Sequence, residues 1–298
     1  MSNTKNIIAD TNVWYDIANG NTDILNAIKS KGKLCATPIN MLEISSKVNE
    51  GNFQDRKNAA KAIVDYADRY LMSNEVYLVR YWGLNINDPV QWKEAATTLS
   101  RANSLSDLTN GYDDPIDNVK RKHNLDVLFK WRDYQYKDFK DGVIRGIESI
   151  HPRYNERNLK GNLRRLTDPN LISLFDADYD FEASVLMTYE RAKMALKDEV
   201  VDYPDKPTKD MIKIASPKLK NYLSAYNKYL KYLAVTPAFP DENDLGDHDA
   251  FLYLQNKNWI LATSDKRWIV IANEVCPDNL LDLLPYKQTS SSNFCSCK

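Results

Sequence analysis

A chain of 298 residues, 43% hydrophobic and 27% charged, is long enough to bury a full core without disulfides or a structural metal. Its 4 cysteines are too few and too scattered for a disulfide framework: Cys35 and Cys276 lie in apolar runs, Cys295 and Cys297 in a Ser-rich tail. A reducing compartment fits this usage, no apolar run approaches the roughly 18 residues of a membrane span, and the first twenty residues lack a signal pattern, so the expectation is a cytoplasmic protein with no membrane partner. The 40 basic and 41 acidic side chains almost cancel, but they are segregated. Thirteen Lys or Arg face six Asp or Glu between Lys120 and Arg165, which leaves the flanks acidic.

Taken in chain order, Asn6 to Ala9 is a short apolar run, Asp23 to Ser30 has helical spacing, and Lys33 to Thr37 is a second short run, which together read as βαβ. From Asn58 to Val235 the period is mostly that of helices. Ala59, Ala60, Ile63, Val64, Ala67, Tyr70 and Leu71 form one stripe, Leu223, Tyr226, Tyr229, Leu230 and Leu233 another, and only Val76 to Tyr81 reads as a strand. The last sixty residues return to the α/β habit, with a helix after Gly246, a strand at Trp259 to Thr263 and a helix from Lys266 to about Val275, before Cys276-Pro277. The expected fold class is therefore α/β, a central parallel sheet flanked by helices and built from residues 1–75 and 236–288, with a large, mostly helical insertion over 76–235 and a disordered tail at 289–298.

Glycine is scarce, 9 in all, and no GxGxxG, P-loop, GxSxG or HExxH pattern occurs. His123, His151 and His248 are too dispersed for a zinc site. Acids, by contrast, follow the apolar runs. Asp10 ends the first strand, Glu43 sits in the first turns of the helix after the second, Asp265 ends the Trp259 strand, and Asp244, Asp247 and Asp249 crowd the entrance of the helix through Phe251 to Leu254. In parallel sheets a site forms at the carboxyl ends of the strands. Carboxylates gathered there repel one another unless a divalent cation holds them, and oxygen-only ligands suit Mg²⁺ or Mn²⁺. Each acid taken singly can instead be a helix cap.

The run Ile7-Ile8-Ala9-Asp10-Thr11-Asn12-Val13-Trp14 resembles the opening of the PIN-domain nucleases. Pro38 to Glu43 is similar to that family's second acidic motif, and Ala262-Thr263-Ser264-Asp265-Lys266-Arg267-Trp268 to its closing pattern. The resemblance covers about residues 1–50 and 236–275. It implies a PIN-like fold and a metal-binding quartet at Asp10, Glu43, Asp247 and Asp265, with Asn12 (or Thr11) and Thr263 as supports, while Asp244, just before the third helix, reads either as an outer metal ligand through water or as that helix's cap. The quartet implies one or two Mg²⁺ or Mn²⁺ ions and hydrolysis of RNA phosphodiester bonds. Two features depart from the family: the middle segment is far longer than in small members, and Phe251-Leu252-Tyr253-Leu254 replaces an Ala-rich helix. A haloacid-dehalogenase reading needs a second Asp where Asn12 stands. A non-catalytic PIN-like scaffold that binds a protein partner is the main rival.

In the insertion, basic residues including Arg157, Lys160, Arg164 and Arg165 interleave with Phe129, Trp131, Tyr134, Tyr136, Phe139 and Tyr154. Such a pattern suits single-stranded or structured RNA, with an amphipathic bundle as the structural alternative. An inhibitory protein partner and a homodimer stay open. At the third helix, residues two apart point about 200° from each other. If that helix has begun by Gly246, Asp247 faces the other acids and Asp249 points nearer to solvent.

Overall fold

The computed structural model describes residues 4–46, 48–86, 92–122, 126–176, 181–196, 203–241 and 243–287. In chain order the elements are β1 (Lys5–Ala9), α1 (Thr11–Ala18), α2 (Thr22–Lys31), β2 (Gly32–Ala36), α3 (Pro38–Ser45), α4 (Phe53–Tyr66), β3 (Arg69–Tyr70), α5 (Asn74–Tyr81), α6 (Trp92–Arg101) and α7 (Leu105–Asn110). There follow β4 (Tyr112–Asp114), β5 (Val119–Arg121), α8 (Asp126–Ile150), α9 (Pro169–Leu174), α10 (Phe181–Ala195), α11 (Lys209–Val235) and α12 (Asp244–Asp249). The chain closes with β6 (Trp259–Thr263), α13 (Lys266–Val275), β7 (Leu280–Asp282) and α14 (Leu284–Lys287), and 3₁₀ turns lie at Ala250–Tyr253 and Pro277–Asn279.

Five strands form one sheet in the order β3-β2-β1-β6-β7, and each neighbouring pair is parallel. The central strands are short apolar runs because both faces are covered. Ile7 and Ala9 of β1, Leu34 and Ala36 of β2, and Ile260 and Ala262 of β6 pack on one side with α1, α2, α4 and α6. Ile8, Cys35 and Leu261, one residue out of phase, pack on the other with Val79, Leu223, Tyr229 and Trp268. The period of two thus sends alternate residues into two cores. Helices α5, α10 and α11 supply much of the second core, so residues 76–235 contribute a layer of the sheet's packing rather than standing apart from it.

Three elements differ from the sequence expectation. Val76 to Tyr81, read as a strand, belongs to α5. The Ser73 hydroxyl accepts from the Val76 amide and starts the helix, and Val76, Val79 and Trp82 bury one helical face. The stripe through Tyr70 and Leu71 is not one helix: α4 stops at Tyr66, and Arg69 and Tyr70 form the edge strand β3 on β2. The β4–β5 antiparallel hairpin lies inside the segment read as helical. There the buried Arg121 pairs with Asp114 and Asp117 and reaches Glu94 of α6. The tail, with Cys295 and Cys297, falls outside the described residues.

Candidate active site

Strand order places β1 between β2, whose connection leads one way, and β6, which lies on the other side. This reversal opens a crevice at the carboxyl ends of β1 and β6. Asp10 leaves β1 there, with its amide bonded to the Ala262 carbonyl at 2.9 Å, and Asp265 leaves β6 two residues after Thr263. Both double as helix caps. Asp10 Oδ1 accepts from the Asn12 amide at 3.4 Å, and Asp265 Oδ1 from the amides of Arg267 at 2.8 Å and Trp268 at 3.4 Å. A cap uses one carboxylate oxygen, so capping and a role in the crevice are compatible. Thr263 joins the pair: its hydroxyl donates to Asp10 Oδ2 at 2.8 Å and accepts from the Asp265 amide at 3.0 Å.

Glu43 arrives on α3, whose start is locked by a capping box. Thr37 and Asn40 exchange side-chain and backbone hydrogen bonds, and the Asn40 amide nitrogen then donates to the Ala9 carbonyl at 3.0 Å and to Thr11 Oγ1 at 3.1 Å. One buried amide therefore fixes α3 against the end of β1. The other end of α3 is held by Arg56 Nη1, which donates to the carbonyls of Glu43 and Ile44. Asp247 comes from α12, which approaches α3 so closely that a Cβ on Gly246 would stand 2.5 Å from Glu43 Oε1 and 2.8 Å from Ile39 Cγ2.

The result is a cleft of about 340 Å³ lined by Asp10, Glu43, Asp247 and Asp265, together with Thr11, Asn12, Tyr15, Ser46, Arg56, Asp241, Asn243 and Arg267. Five carboxylates face two guanidiniums. Burial, and then the charges of Asp10, Glu43, Asp265 and Asp244, push the Asp247 carboxyl well above the usual range. Burial also raises Asp10, with the Thr263 and Asn12 hydrogen bonds opposing and the Asp265 charge adding to the rise. Among the described residues no three His, Cys, Asp or Glu side chains stand close enough to grip one ion together.

Asp244 and Asp249 are placed otherwise than expected. The six-residue helix α12 begins at Asp244, and Asp244 is completely buried outside the cleft lining. Its Oδ2 accepts from the Tyr229 hydroxyl and from the Asp241 amide at 2.6 Å, and its Oδ1 stands 2.6 Å from Arg267 Nη2. A carboxylate committed to these partners is a support of the wall rather than an outer metal ligand. Asp249 does point away from Asp247, as the helix phase requires, but not toward solvent. The insertion helices cover that side, and Arg191 of α10 clasps both Asp249 oxygens at 2.8 and 2.7 Å while Asn74 donates to Oδ2 at 2.7 Å.

The basic residues of the insertion lie on the segment between α8 and α9. Arg157, Lys160 and Arg165 are exposed, Arg164 is half-buried, and Arg157 lies over the Phe239 ring at 5.0 Å. The segment is tied to the approach to α12, because the Tyr154 hydroxyl donates to the Ala238 carbonyl and the Leu166 amide to that of Ala234. Two of the aromatics named with them pack inward. Tyr154 is fully buried and Phe139 stacks on Tyr229 and His248, while the side chains of Phe129, Trp131 and Tyr134 lie outside the described residues.

Sequence reasoning missed Asn40, Arg56 and Arg267 as members of the site. Asn40 and Arg267 stood inside the quoted motifs and could have been singled out as polar residues next to an acid. Arg56, ordinary in an amphipathic helix, carried no such signal. Compared with protein-family models, with curated proteins and with solved structures, the chain matches none of them.

Proposed function

We propose that this protein is a metal-dependent endoribonuclease of PIN-like architecture, in which Asp10, Glu43, Asp247 and Asp265 hold one or two Mg²⁺ or Mn²⁺ ions. The observation that carries the reading is that four carboxylates from four separate elements line one cleft at the switch point of a parallel sheet. Two neighbouring acids, Asp244 and Asp249, are neutralised by arginines. A stable fold gains nothing from gathering four acids, two of which, Asp10 and Asp247, are pushed toward protonation by burial and by neighbouring charge, so a ligand is the economical reason for them.

The donor set suits a hydrated ion. Mg²⁺ keeps several waters and takes one or two carboxylates directly, which agrees with acids that share a cleft without forming a tight group of three. The bound ion would supply charge for a phosphoryl oxygen and a water of lowered pKa. The chain's own residues do the placing. Thr263 holds Asp10 and the start of α13 in register, Asn40 fixes α3 to β1, and Arg56 ties the end of α3 to α4. With five carboxylates against two guanidiniums, the cleft without a cation repels a phosphate, so cleavage must depend on added metal.

A partner-binding scaffold without catalysis is the second reading, and the spacing of the acids is what favours it. The two part on one assay. Labelled single-stranded and hairpin RNAs incubated with Mg²⁺, Mn²⁺ or a chelator should be cut only with metal, and Asp10→Asn should abolish cutting. RNA left intact by the wild type in both metals would leave the scaffold.

A further inference from the structure

Two guanidiniums border the acidic cleft, and they are held differently. Arg56 spends Nη1 on the carbonyls that end α3, an ordinary cation at a helix C-terminus. Arg267, in the first turn of α13, is gripped by a buried assembly of its own. Its Nη2 stands 2.6 Å from Asp244 Oδ1 and 3.9 Å from Asp265 Oδ2, and its guanidinium carbon lies 5.9 Å from the Tyr229 ring centre and 5.8 Å from that of Trp268. Asp244 is completely buried, and its second oxygen is taken by the Tyr229 hydroxyl and the Asp241 amide.

Stability alone is a weak reason for such an assembly. A completely buried carboxylate loses its hydration, and apolar residues of similar volume usually hold a fold as well. What the assembly does achieve is orientation. Asp244 is fixed by two donors and Arg267 is fixed by Asp244 and two ring faces, while Arg267 still lines the cleft beside Asp265. Both ion pairs go through Nη2, which is only part of a planar fork of five N–H donors, and that fork matches a phosphate's oxygens.

Resting on the nuclease reading above, we infer that Arg267 is a substrate-binding residue: its guanidinium, aimed by Asp244 and Tyr229, holds a phosphate of the substrate strand on the α13 side of the four acids. Asp244 and Tyr229 are positioning residues that act through Arg267. The assignment also explains why Asp244 leaves the cleft although it lies only three residues before Asp247.

The test uses a fluorescent, phosphorothioate-linked single-stranded RNA, which resists hydrolysis, with binding followed by anisotropy in Mg²⁺ over a range of salt. Arg267→Gln should weaken binding about tenfold, the scale of one charge-assisted contact. It should also lower the log–log salt slope by about 0.7. Arg267→Lys should recover part of the affinity and most of the slope, and Lys31→Gln, at the amino end of the sheet, should match the wild type. In cleavage assays Arg267→Gln should raise KM, and Asp244→Asn should do the same with its salt slope retained. Wild-type binding and cleavage that Arg267→Gln leaves unchanged would overturn this inference alone. A loss of affinity that tracks a fall in melting temperature, and that Arg267→Lys does not restore, would reduce Arg267 to a structural counter-charge. Wild type that neither binds nor cuts RNA in Mg²⁺ or Mn²⁺ would remove the nuclease reading and the inference together.

Discussion

The two sides of α12 carry the same residue type in opposite circumstances. On one side Asp249, 3% exposed, is held by both guanidinium nitrogens of Arg191, by Asn74 and by the Tyr222 hydroxyl at 3.3 Å. On the other, Asp247 shares a cleft with Asp10, Glu43 and Asp265, whose charges all act against its ionisation. The first arrangement gives its carboxylate a bidentate arginine, which Glu75 also reaches at 3.4 Å, and joins the insertion to the sheet. The second carries an excess of negative charge, five carboxylates against two guanidiniums, and such an excess at a concave surface distinguishes a site from a structural network.

That contrast predicts two variants with exchanged effects. Asp247→Asn should lower RNA cleavage by roughly a hundredfold to a thousandfold, the scale on which loss of a preorganised charge acts, while the protein stays folded. Asp249→Asn leaves the partly buried Arg191 with Glu75, 3.4 Å away, as its remaining counter-charge and should cost about 3 kcal/mol of stability, the lower end of the range for broken buried pairs. Its cleavage rate per folded molecule should stay near the wild type's. Denaturant titration and cleavage kinetics on both proteins check the pair, and a catalytic loss larger in Asp249→Asn would erase the distinction.

A second measurement sharpens the Asp249 side. His248 is packed against Tyr222, Tyr226 and Phe139, and burial pushes its pKa down from 6.5 to about 4, with the Asp249 charge opposing and that of Arg191 adding. The unfolded chain therefore binds the proton first. The stabilising effect of a neutral His248 is complete above about pH 6.5, falls as the pH drops toward 4 and is gone below it, a change of roughly 3 kcal/mol. Compared with His248→Gln, the wild type should lose more melting temperature between pH 7 and 4.5. Parallel curves would mean that the ring is not held neutral.

The smallest effect belongs to the cleft without metal. Because the folded-state pKa of Asp247 is raised, its ionisation costs stability as pH rises from the unfolded value of 3.8 through the folded one, and at neutral pH that cost is present. Asp247→Asn should therefore melt about 1–3 °C above the wild type in chelator, a fraction of a kcal/mol on the usual scale. Addition of Mn²⁺ should reverse the order by stabilising only the wild type. Calorimetry with equal metal response in both proteins would remove the metal from Asp247.

How much of this could be read from residues alone divides along physical lines. The strands β1, β2 and β6 were legible because a strand buried on both faces must be a short apolar run, and the acids at their ends because a carboxylate after such a run has little packing to do. Strand β3 was hidden because two residues, Arg69 and Tyr70, continue the periodic stripe of α4. Helix α5 was misread from its β-branched composition, which the Ser73 cap and the surrounding helices override. Nor could helix phase alone say what lay opposite Asp247. It gave the direction of Asp249 correctly, but whether that direction ends in water or in Arg191 depends on a helix some sixty residues away in the chain.

Gly246 gives the site a gauge. Its missing Cβ is what lets the backbone of α12 rest against Glu43 Oε1 and Ile39. The close approach of α12 to the α3 carboxylate is therefore permitted by an absent methyl group. Any side chain at position 246 must push α12 away from α3 or turn Glu43 and Ile39 aside, so the smallest substitution there reshapes the wall that carries two of the four acids.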